Sequence, residues 1–190
     1  MHSTANSGPQ GGNRAALSAV LAVACIASVG LPSATADEGV TLGPKDIRTA
    51  FFLEKSENKN QVHYGIRMDK KCQPVGKEPV FGYWRDWIDG KWKVMPFVSM
   101  DYRAYGIDKQ SVDKDHRIHV LLKALPDKPI TIEVESRGGR CVAKAHMTID
   151  GERAIFRRAF VELRFMGVRH VDLFGTKADG KGAVHERVKP

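Results

Sequence analysis

The stretch QVHYGIRMD at residues 61–69 alternates apolar and polar side chains, and this alternation decides the fold class. Its apolar members, from Val62 to Met68, fall on one face of an extended chain, and the polar members fall on the other. A half-buried antiparallel strand with one solvated face has this pattern. We therefore predict a β-strand over residues 61–69, with His63 on the solvent side.

The same alternation recurs along the chain, most clearly at residues 130–135 and 141–149. Asp89-Gly90 and Asp150-Gly151 separate such runs, and Asp-Gly supplies the positive φ values that tight hairpins need. Residues 155–166 fit both a helix and a strand, and the preceding Asp-Gly pair favours a strand. Roughly eight strands result, so we predict an all-β, mainly antiparallel single domain, either a β-barrel or a β-sandwich.

The first 36 residues predict an export signal rather than part of the fold. Arg14 precedes an apolar run at residues 15–31, and Ala34-Thr35-Ala36 follows directly before the first acidic residue, Asp37. This order is typical of a cleaved secretory signal peptide, and the run is shorter than the ~20 residues of a membrane-spanning helix. We expect signal cleavage near Ala36, a short entry segment at 37–47, a β-rich domain at 48–190, and a periplasmic or secreted location.

The expected chemical state of each cysteine depends on the signal-peptide assignment. Cys25 lies in the apolar run, and its small-residue approach (residues 22–24) leaves open a lipoprotein anchored through Cys25. Cys72 and Cys141 remain in the exported chain, and an even pair in an oxidising compartment predicts a disulfide. The alternative is two separate buried thiols.

Charge and composition narrow the class of partner. The first 36 residues carry one Lys or Arg and no acidic residue, so the remaining chain keeps 29 basic and 22 acidic side chains, a net charge of +7. A basic surface attracts anionic lipid, cell-wall polymer or nucleic acid, or is simply solvated. Without a recognition helix or a basic motif interleaved with aromatics, nucleic acid is not expected. Nor do we expect a transmembrane helix in the exported chain; the oligomeric state stays open.

Residue spacing argues against the common catalytic and metal sites. The chain has no His-x-His, Cys-x-x-Cys or His-Glu-x-x-His motif, and no Gly-x-Ser-x-Gly nucleophile turn. We therefore assign no metal, no cofactor and no catalytic residue. The remaining enzymatic hypothesis is a hydrolase or isomerase with its acid–base group among His63, Arg67 and Asp69.

The densest aromatic region is VFGYWRDW at residues 80–87, followed by Trp92. Aromatic side chains on both faces of this strand line either a packed core or a ligand pocket, with Gly82 leaving space and Arg85 available for an anion. A second aromatic patch at residues 102–106 is expected to pack near it. The candidate ligand-binding residues are Tyr83, Trp84, Arg85, Tyr105 and His63.

Several short stretches, by their order and spacing, give the chain a family resemblance. They are Asn58-Lys59-Asn60 before Val62-His63-Tyr64, Glu78-Pro79-Val80 with Tyr83-Trp84, Ala104-Tyr105-Gly106, and Val171 to Gly175 with Glu186. Over about residues 51–188 the chain resembles DUF4833, a bacterial family of unknown function. The resemblance implies a single β-rich domain, often exported, and no established activity; Cys72 and Cys141 are not part of it.

These observations predict an exported, non-enzymatic binding module for a small apolar or anionic ligand. Barrels of about eight strands can enclose one small ligand, and this capacity is the basis of the binding-module hypothesis. The alternative is a basic envelope-associated protein that contacts acidic lipid or cell-wall polymer through its +7 surface.

Overall fold

The computed structural model describes residues 48–165 and 167–189 as eleven β-strands and one short helix. The predicted signal peptide, Cys25 and the entry segment at 37–47 lie outside these described residues. The elements, in chain order, are β1 (Arg48–Lys55), β2 (Asn58–Ile66), β3 (Val80–Ile88), β4 (Lys91–Pro96), α1 (Ser99–Ala104), β5 (Ile107–Val112), β6 (Ile118–Leu122), β7 (Leu125–Arg137), β8 (Arg140–Ile149), β9 (Glu152–Arg164), β10 (Gly167–Lys177) and β11 (Ala183–Val188).

The all-β prediction is confirmed, although the structure has eleven strands where roughly eight were predicted. Strand β5 has only Ile107 and Val112 as apolar residues, and β4 places Val94 directly beside Met95, so the alternation of both strands is weak in the sequence. The ambiguous residues 155–166 fall almost entirely in strand β9, as favoured. Among the described residues, no helix is long and apolar enough to span a bilayer.

Local turn chemistry sets the strand ends. Asp89-Gly90 and Asp150-Gly151 form the predicted hairpin turns, with φ values of 53° and 75° in the first and 52° and 75° in the second. Strand β2 begins at Asn58 and ends at Ile66, both earlier than the predicted stretch 61–69. Beyond its end, the Asp69 carboxylate accepts hydrogen bonds from the backbone N–H groups of Lys71 and Gln73, both at 2.8 Å. These bonds turn the chain into a loop before β3.

The sheet forks at β9. The hydrogen-bonded order is β4-β3-β2-β1-β9-β8-β7-β6-β5, and β10 and β11 extend it from the other edge of β9. Residues 152–156 of β9 pair antiparallel with β8, whereas residues 158–161 pair parallel with β1. The path therefore divides into a first arm, β1–β4, and a second arm, β5–β8. It does not close on itself, so of the two predicted architectures the sandwich-like one fits.

The inner faces of both arms share one hydrophobic core. The first arm contributes Phe51 and Tyr64, whose rings stack with centroids 4.6 Å apart. The second arm contributes Ile118 and Ile132, both fully buried. Burial of this apolar surface is the main force that holds the arms together.

One polar link and one covalent link also join the arms, and a second polar contact ties β2 to the segment between them. The Gln110 side chain donates to the Val80 carbonyl at 3.2 Å and accepts from the Val80 N–H at 3.0 Å. The side-chain amide of Gln110 in β5 therefore pairs with the β3 backbone as a neighbouring strand would. The Tyr64 hydroxyl donates to the Tyr105 carbonyl at 2.7 Å. The predicted disulfide is present: Cys72 in the β2–β3 loop is bonded to Cys141 in β8, with Cα atoms 5.3 Å apart.

Candidate functional site

The five candidate ligand-binding residues do not form one cluster, because they lie on opposite faces of the first arm. His63 pairs across the strands with Tyr83, and Arg85 follows two residues along the same face of β3. Trp84 lies on the inner face, where it meets Tyr105 edge-on at a centroid distance of 5.4 Å. The structure therefore divides the set into an outer group and an inner group.

The inner group is packed. The predicted space beside Gly82 is filled by the Phe97 ring, because a Cβ at Gly82 would lie 2.2 Å from Phe97 Cε2. Phe97 also approaches Trp84 at 6.2 Å and meets the ring of Tyr102 edge-on at 5.4 Å. The second aromatic patch thus packs near the first, as expected, and both belong to the edge of the core.

The outer group overturns one prediction. His63 is only 5% exposed, so the outer face of β2 is not solvated at this position. The ring of Phe52 stacks on the imidazole at 5.1 Å, and the ring of Tyr83 lies at 5.5 Å. Strand alternation assigned His63 to solvent, but aromatic neighbours on β1 and β3 cover it.

Hydrogen bonds fix the state of His63. Its Nε2–H donates to Gln61 Oε1 at 2.9 Å, and the Gln61 amide in turn donates to Glu54 at 3.1 Å, which sets the amide orientation. The unprotonated Nδ1 faces the Thr49 hydroxyl at 3.4 Å, and the Thr49 oxygen is 2.7 Å from the Tyr83 hydroxyl. Burial, and then the positive charge of Arg85, lowers the pKa of His63 to about 4. His63 is therefore neutral at physiological pH.

The polar chain continues across β1 and β9. Glu54 accepts a hydrogen bond from Arg158 at 2.7 Å, and the Arg158 guanidinium lies 4.1 Å from the centre of the Phe174 ring. Phe174 stacks on His185 with centroids 4.8 Å apart. A connected set of polar and aromatic side chains therefore crosses the outer face from β3 to β11.

This set ends at Asp172, whose side chain is 7% exposed. Arg187 donates two bonds to its carboxylate, at 2.8 and 3.0 Å, and His185 and His170 approach at 2.9 and 3.3 Å. The Arg187 hydrogen bond, together with His185 and the charges of Arg187 and His170, holds the pKa of Asp172 below its usual range. Sequence reasoning missed this centre, although an aspartate between Val171 and Leu173 in an apolar strand was the available signal.

Arg67 and Asp69, which the enzymatic hypothesis combined with His63, make their contacts away from the imidazole. Asp69 caps the loop that follows β2, and Arg67 lies over the Phe81 ring at 4.9 Å and donates to the Glu78 carbonyl. His63 instead contacts Gln61 and Thr49, without a carboxylate orienting its ring. In residues 48–165 and 167–189, no group of three or more His, Cys, Asp or Glu side chains is placed to hold a metal ion.

Two cations beside the β3–β4 hairpin lie over indole rings, on the same face as His63 and Tyr83. Arg85 lies 4.9 Å from the Trp92 ring centre, and Lys59 lies 5.5 Å from that of Trp87. The two indoles meet edge-on at 5.1 Å, and both are exposed. We call these four residues the cation–indole cluster. Within the described part of the chain, neither cation forms an ion pair with a carboxylate.

Comparison with known proteins gives a family and no further relative. The model of a family described as a domain of unknown function, DUF4833, matches residues 51–187. This range includes the cation–indole cluster, both cysteines of the disulfide, and the polar and aromatic set of the outer face except Thr49. No curated protein and no solved structure matches the chain.

Proposed function

The chain belongs to the DUF4833 family, and we propose that it is a non-enzymatic binding module that holds a small anionic ligand at the cation–indole cluster. The observation that carries the proposal is the position of Arg85. Its guanidinium lies over an exposed indole, without a described carboxylate partner, beside a neutral histidine and a buried tyrosine.

The electrostatics of the outer face favour an anion at this point. The charge of Arg85 contributes to a lower pKa at both His63 and Tyr83, although burial raises the pKa of Tyr83 overall. A carboxylate or phosphate beside the guanidinium would form charge-assisted hydrogen bonds, and an arginine fork presents two N–H groups to such a partner. Lys59 adds a second positive charge, and Trp87 and Trp92 offer apolar surface to the rest of the ligand.

An open cleft elsewhere on the surface offers less to an anion than this cluster does. A cleft of about 230 Å³ is lined by Asp150, Glu152, Lys177 and His185, among others, and its Lys177 pairs with Glu152 at 3.2 Å. Two carboxylates and an already paired lysine line it, so it favours neither an anion nor the apolar ligand that a barrel interior would take. Of the two predicted ligand types, apolar and anionic, the anionic ligand at the surface cluster therefore has the better support.

Tryptophan fluorescence tests this proposal directly, because Trp84, Trp87 and Trp92 are the only tryptophans in the chain. Titration with citrate or inositol hexakisphosphate is expected to change the emission, and Arg85→Gln is expected to weaken binding about tenfold, since one charged contact is worth roughly 1.4 kcal/mol. Arg137→Gln is the matched control, because Arg137 also lies on an exposed strand but pairs with Glu135 at 2.9 Å.

Two results would overturn the proposal. One is an unchanged emission spectrum with every anion at low salt. The other is an equal loss of affinity in Arg85→Gln and Arg137→Gln, which would mean that net charge, and not the cluster, attracts the anion.

The proposed location is the periplasm or the extracellular space, after signal cleavage near Ala36. The Cys72–Cys141 disulfide supports it, because disulfides persist in oxidising compartments. The intact mass of the purified chain, with and without reductant, tests this: cleavage near Ala36 and two fewer hydrogens are expected. A lipid adduct on Cys25 would instead select the lipoprotein alternative.

A further inference from the structure

The cation–indole cluster lies on the outer face of the β3–β4 hairpin, at one edge of the sheet. Trp87 pairs across the two strands with Trp92, Arg85 precedes Trp87 by two residues on the same face of β3, and Lys59 reaches the indoles from β2. Strand β4, which carries Trp92, is the edge strand. A molecule bound to the cluster therefore has room to extend past β4.

The other members of the cluster leave part of the indole surface uncovered. Arg85 lies over one face of Trp92 and Lys59 over one face of Trp87. The two rings meet edge-on at an interplanar angle of 69°, and such a contact covers at most one further face. Of the four ring faces, these contacts cover at most three, and the indoles are 40% and 38% exposed. The negative face of an exposed indole attracts polarised C–H bonds.

Hydrogen-bond donors border the exposed rings. Asn60 Oδ1 accepts a bond from the backbone N–H of Trp87 at 3.0 Å, so the amide oxygen is engaged and the amide NH2 group remains a donor. The side chains of Asn60, Lys59 and Arg85 donate no hydrogen bond to another residue of the described chain. Such donors suit the hydroxyl and carboxylate oxygens of a ligand.

The charges on this face favour a ligand with a carboxylate. Strand pairing leads from the cluster guanidinium to Gln61 and then to Glu54 on β1, and Arg158 neutralises Glu54 at 2.7 Å. Asp86 and Lys93 alternate with the cluster residues along their strands, so they face the opposite side of the hairpin, where they pair across the strands. The acidic side chains near the hairpin are therefore either paired or turned away from the cluster.

We propose that the ligand of the cation–indole cluster is a uronic acid unit of an acidic saccharide chain, a proposal that rests on the anion site described above. A uronic acid offers a carboxylate to Arg85, hydroxyl groups to Asn60 and Lys59, and a flat face of C–H bonds to an indole. A compact anion such as citrate has carboxylates but no ring face. Because the surface is open along β4, neighbouring units of the saccharide extend past the sheet edge and add weak contacts.

Calorimetric titration of the full chain tests the proposal with tetragalacturonate, neutral maltotetraose and citrate at one salt concentration. Tetragalacturonate is expected to bind at least about tenfold more tightly than either of the other two, because it alone combines carboxylates with stacking rings. Trp92→Ala should weaken tetragalacturonate about tenfold and citrate less than about twofold, since it removes a ring face and leaves both cations. Trp92→Tyr should restore most of the tetragalacturonate affinity. Phe165→Ala is the matched control, because Phe165 is 100% exposed but lies outside the cluster.

The outcomes separate the uronic acid proposal from the anion site. If citrate binds at least as tightly as tetragalacturonate, or if Trp92→Ala weakens both equally, the uronic acid proposal is wrong and the anion site stands. If neither anion binds, both are wrong. Equal binding of maltotetraose and tetragalacturonate, or equal losses in Trp92→Ala and Phe165→Ala, would also overturn recognition of a uronic acid.

Discussion

The outer faces of the two arms use similar charged residues in different ways. On the second arm, Arg117 pairs with Asp113 and Asp115, both at 2.9 Å, and Lys144 pairs with Glu135 at 2.9 Å. On the first arm, Arg85 and Lys59 lie over indole rings instead. A cation paired with a carboxylate is neutralised, whereas a cation over an aromatic ring keeps its net charge. The partner of each cation, more than the total charge, is the reason for placing the proposed anion site on the first arm.

The two arms also differ in the hydrogen bonding of one histidine on each arm. Both ring nitrogens of His63 on the first arm have hydrogen-bond partners. His146 on the second arm is nearly as buried, yet neither of its ring nitrogens has a hydrogen bond, and Glu133 Oε2 lies 3.4 Å from Nε2. A satisfied buried polar group rigidifies its surroundings, and an unsatisfied one costs free energy. His63 is therefore the better satisfied of these two histidines.

The largest expected effect comes from removing the disulfide that joins the two arms. Cys72→Ser/Cys141→Ser removes a bond between residues that are 69 positions apart in the sequence. Because this bond restricts the unfolded chain, its loss should lower the free energy of unfolding by about 4 kcal/mol. Urea unfolding followed by tryptophan fluorescence reports the first arm alone, and far-ultraviolet circular dichroism reports both. The two transitions should coincide in the oxidised wild type. Unchanged stability in the variant would show that the core alone holds the arms together.

Replacing each histidine by leucine sharpens the contrast between the arms. His63→Leu leaves Gln61 and Thr49 without their partner and should cost about 3 kcal/mol, because both polar groups lose hydrogen bonds. His146→Leu removes a side chain that makes no hydrogen bonds and should be nearly neutral. Denaturant midpoints compare the two. Equal destabilisation would contradict the difference between the arms.

The pH dependence of stability should carry the signature of His63. Because its folded pKa is about 4 and its ordinary value is 6.5, the unfolded chain binds a proton first as the pH falls. Stability from this group is therefore complete above pH 6.5 and is lost between pH 6.5 and 4, by about 2 kcal/mol once solvent screening is allowed for. Thermal unfolding across this range should show a smaller slope in His63→Gln. An identical slope would mean that the imidazole is not shielded.

The smallest effect is expected at an ion pair of the second arm. Arg137→Gln removes an exposed contact with Glu135 and should change the free energy of unfolding by less than about 0.5 kcal/mol. Chemical denaturation measures it. A loss above 1 kcal/mol would show that the second arm depends on its ion pairs more than exposed geometry allows.

Much of the local structure was predictable, because alternation and turn chemistry are short-range. Asp89-Gly90 and Asp150-Gly151 adopt the positive φ values that Asp and Gly tolerate, and residues 155–164 follow their strand pattern. The fork at β9 was not predictable, since pairing with β1 and β8 depends on contacts between distant segments.

The candidate site was predictable only in part. Tyr83, Arg85 and His63 do share a face, as strand pairing brings them together. Alternation assigned His63 to solvent, because the pattern shows which side a residue faces and not what covers that side. Phe52, which covers the imidazole, comes from the neighbouring strand β1. The role of Asp172 was hidden because alternation along one strand does not show which side chains of the paired strand β11 reach its carboxylate.

The parallel pairing of β1 with β9 has a consequence for folding kinetics. Glu54 and its partner Arg158 are 104 residues apart, so β1 has only its β2 neighbour until most of the chain is present. Contacts of such high contact order form slowly, because a long loop must close before they contribute. Nearly the whole domain must therefore be available before the fork can assemble, and a nascent chain stays open until its C-terminal third emerges.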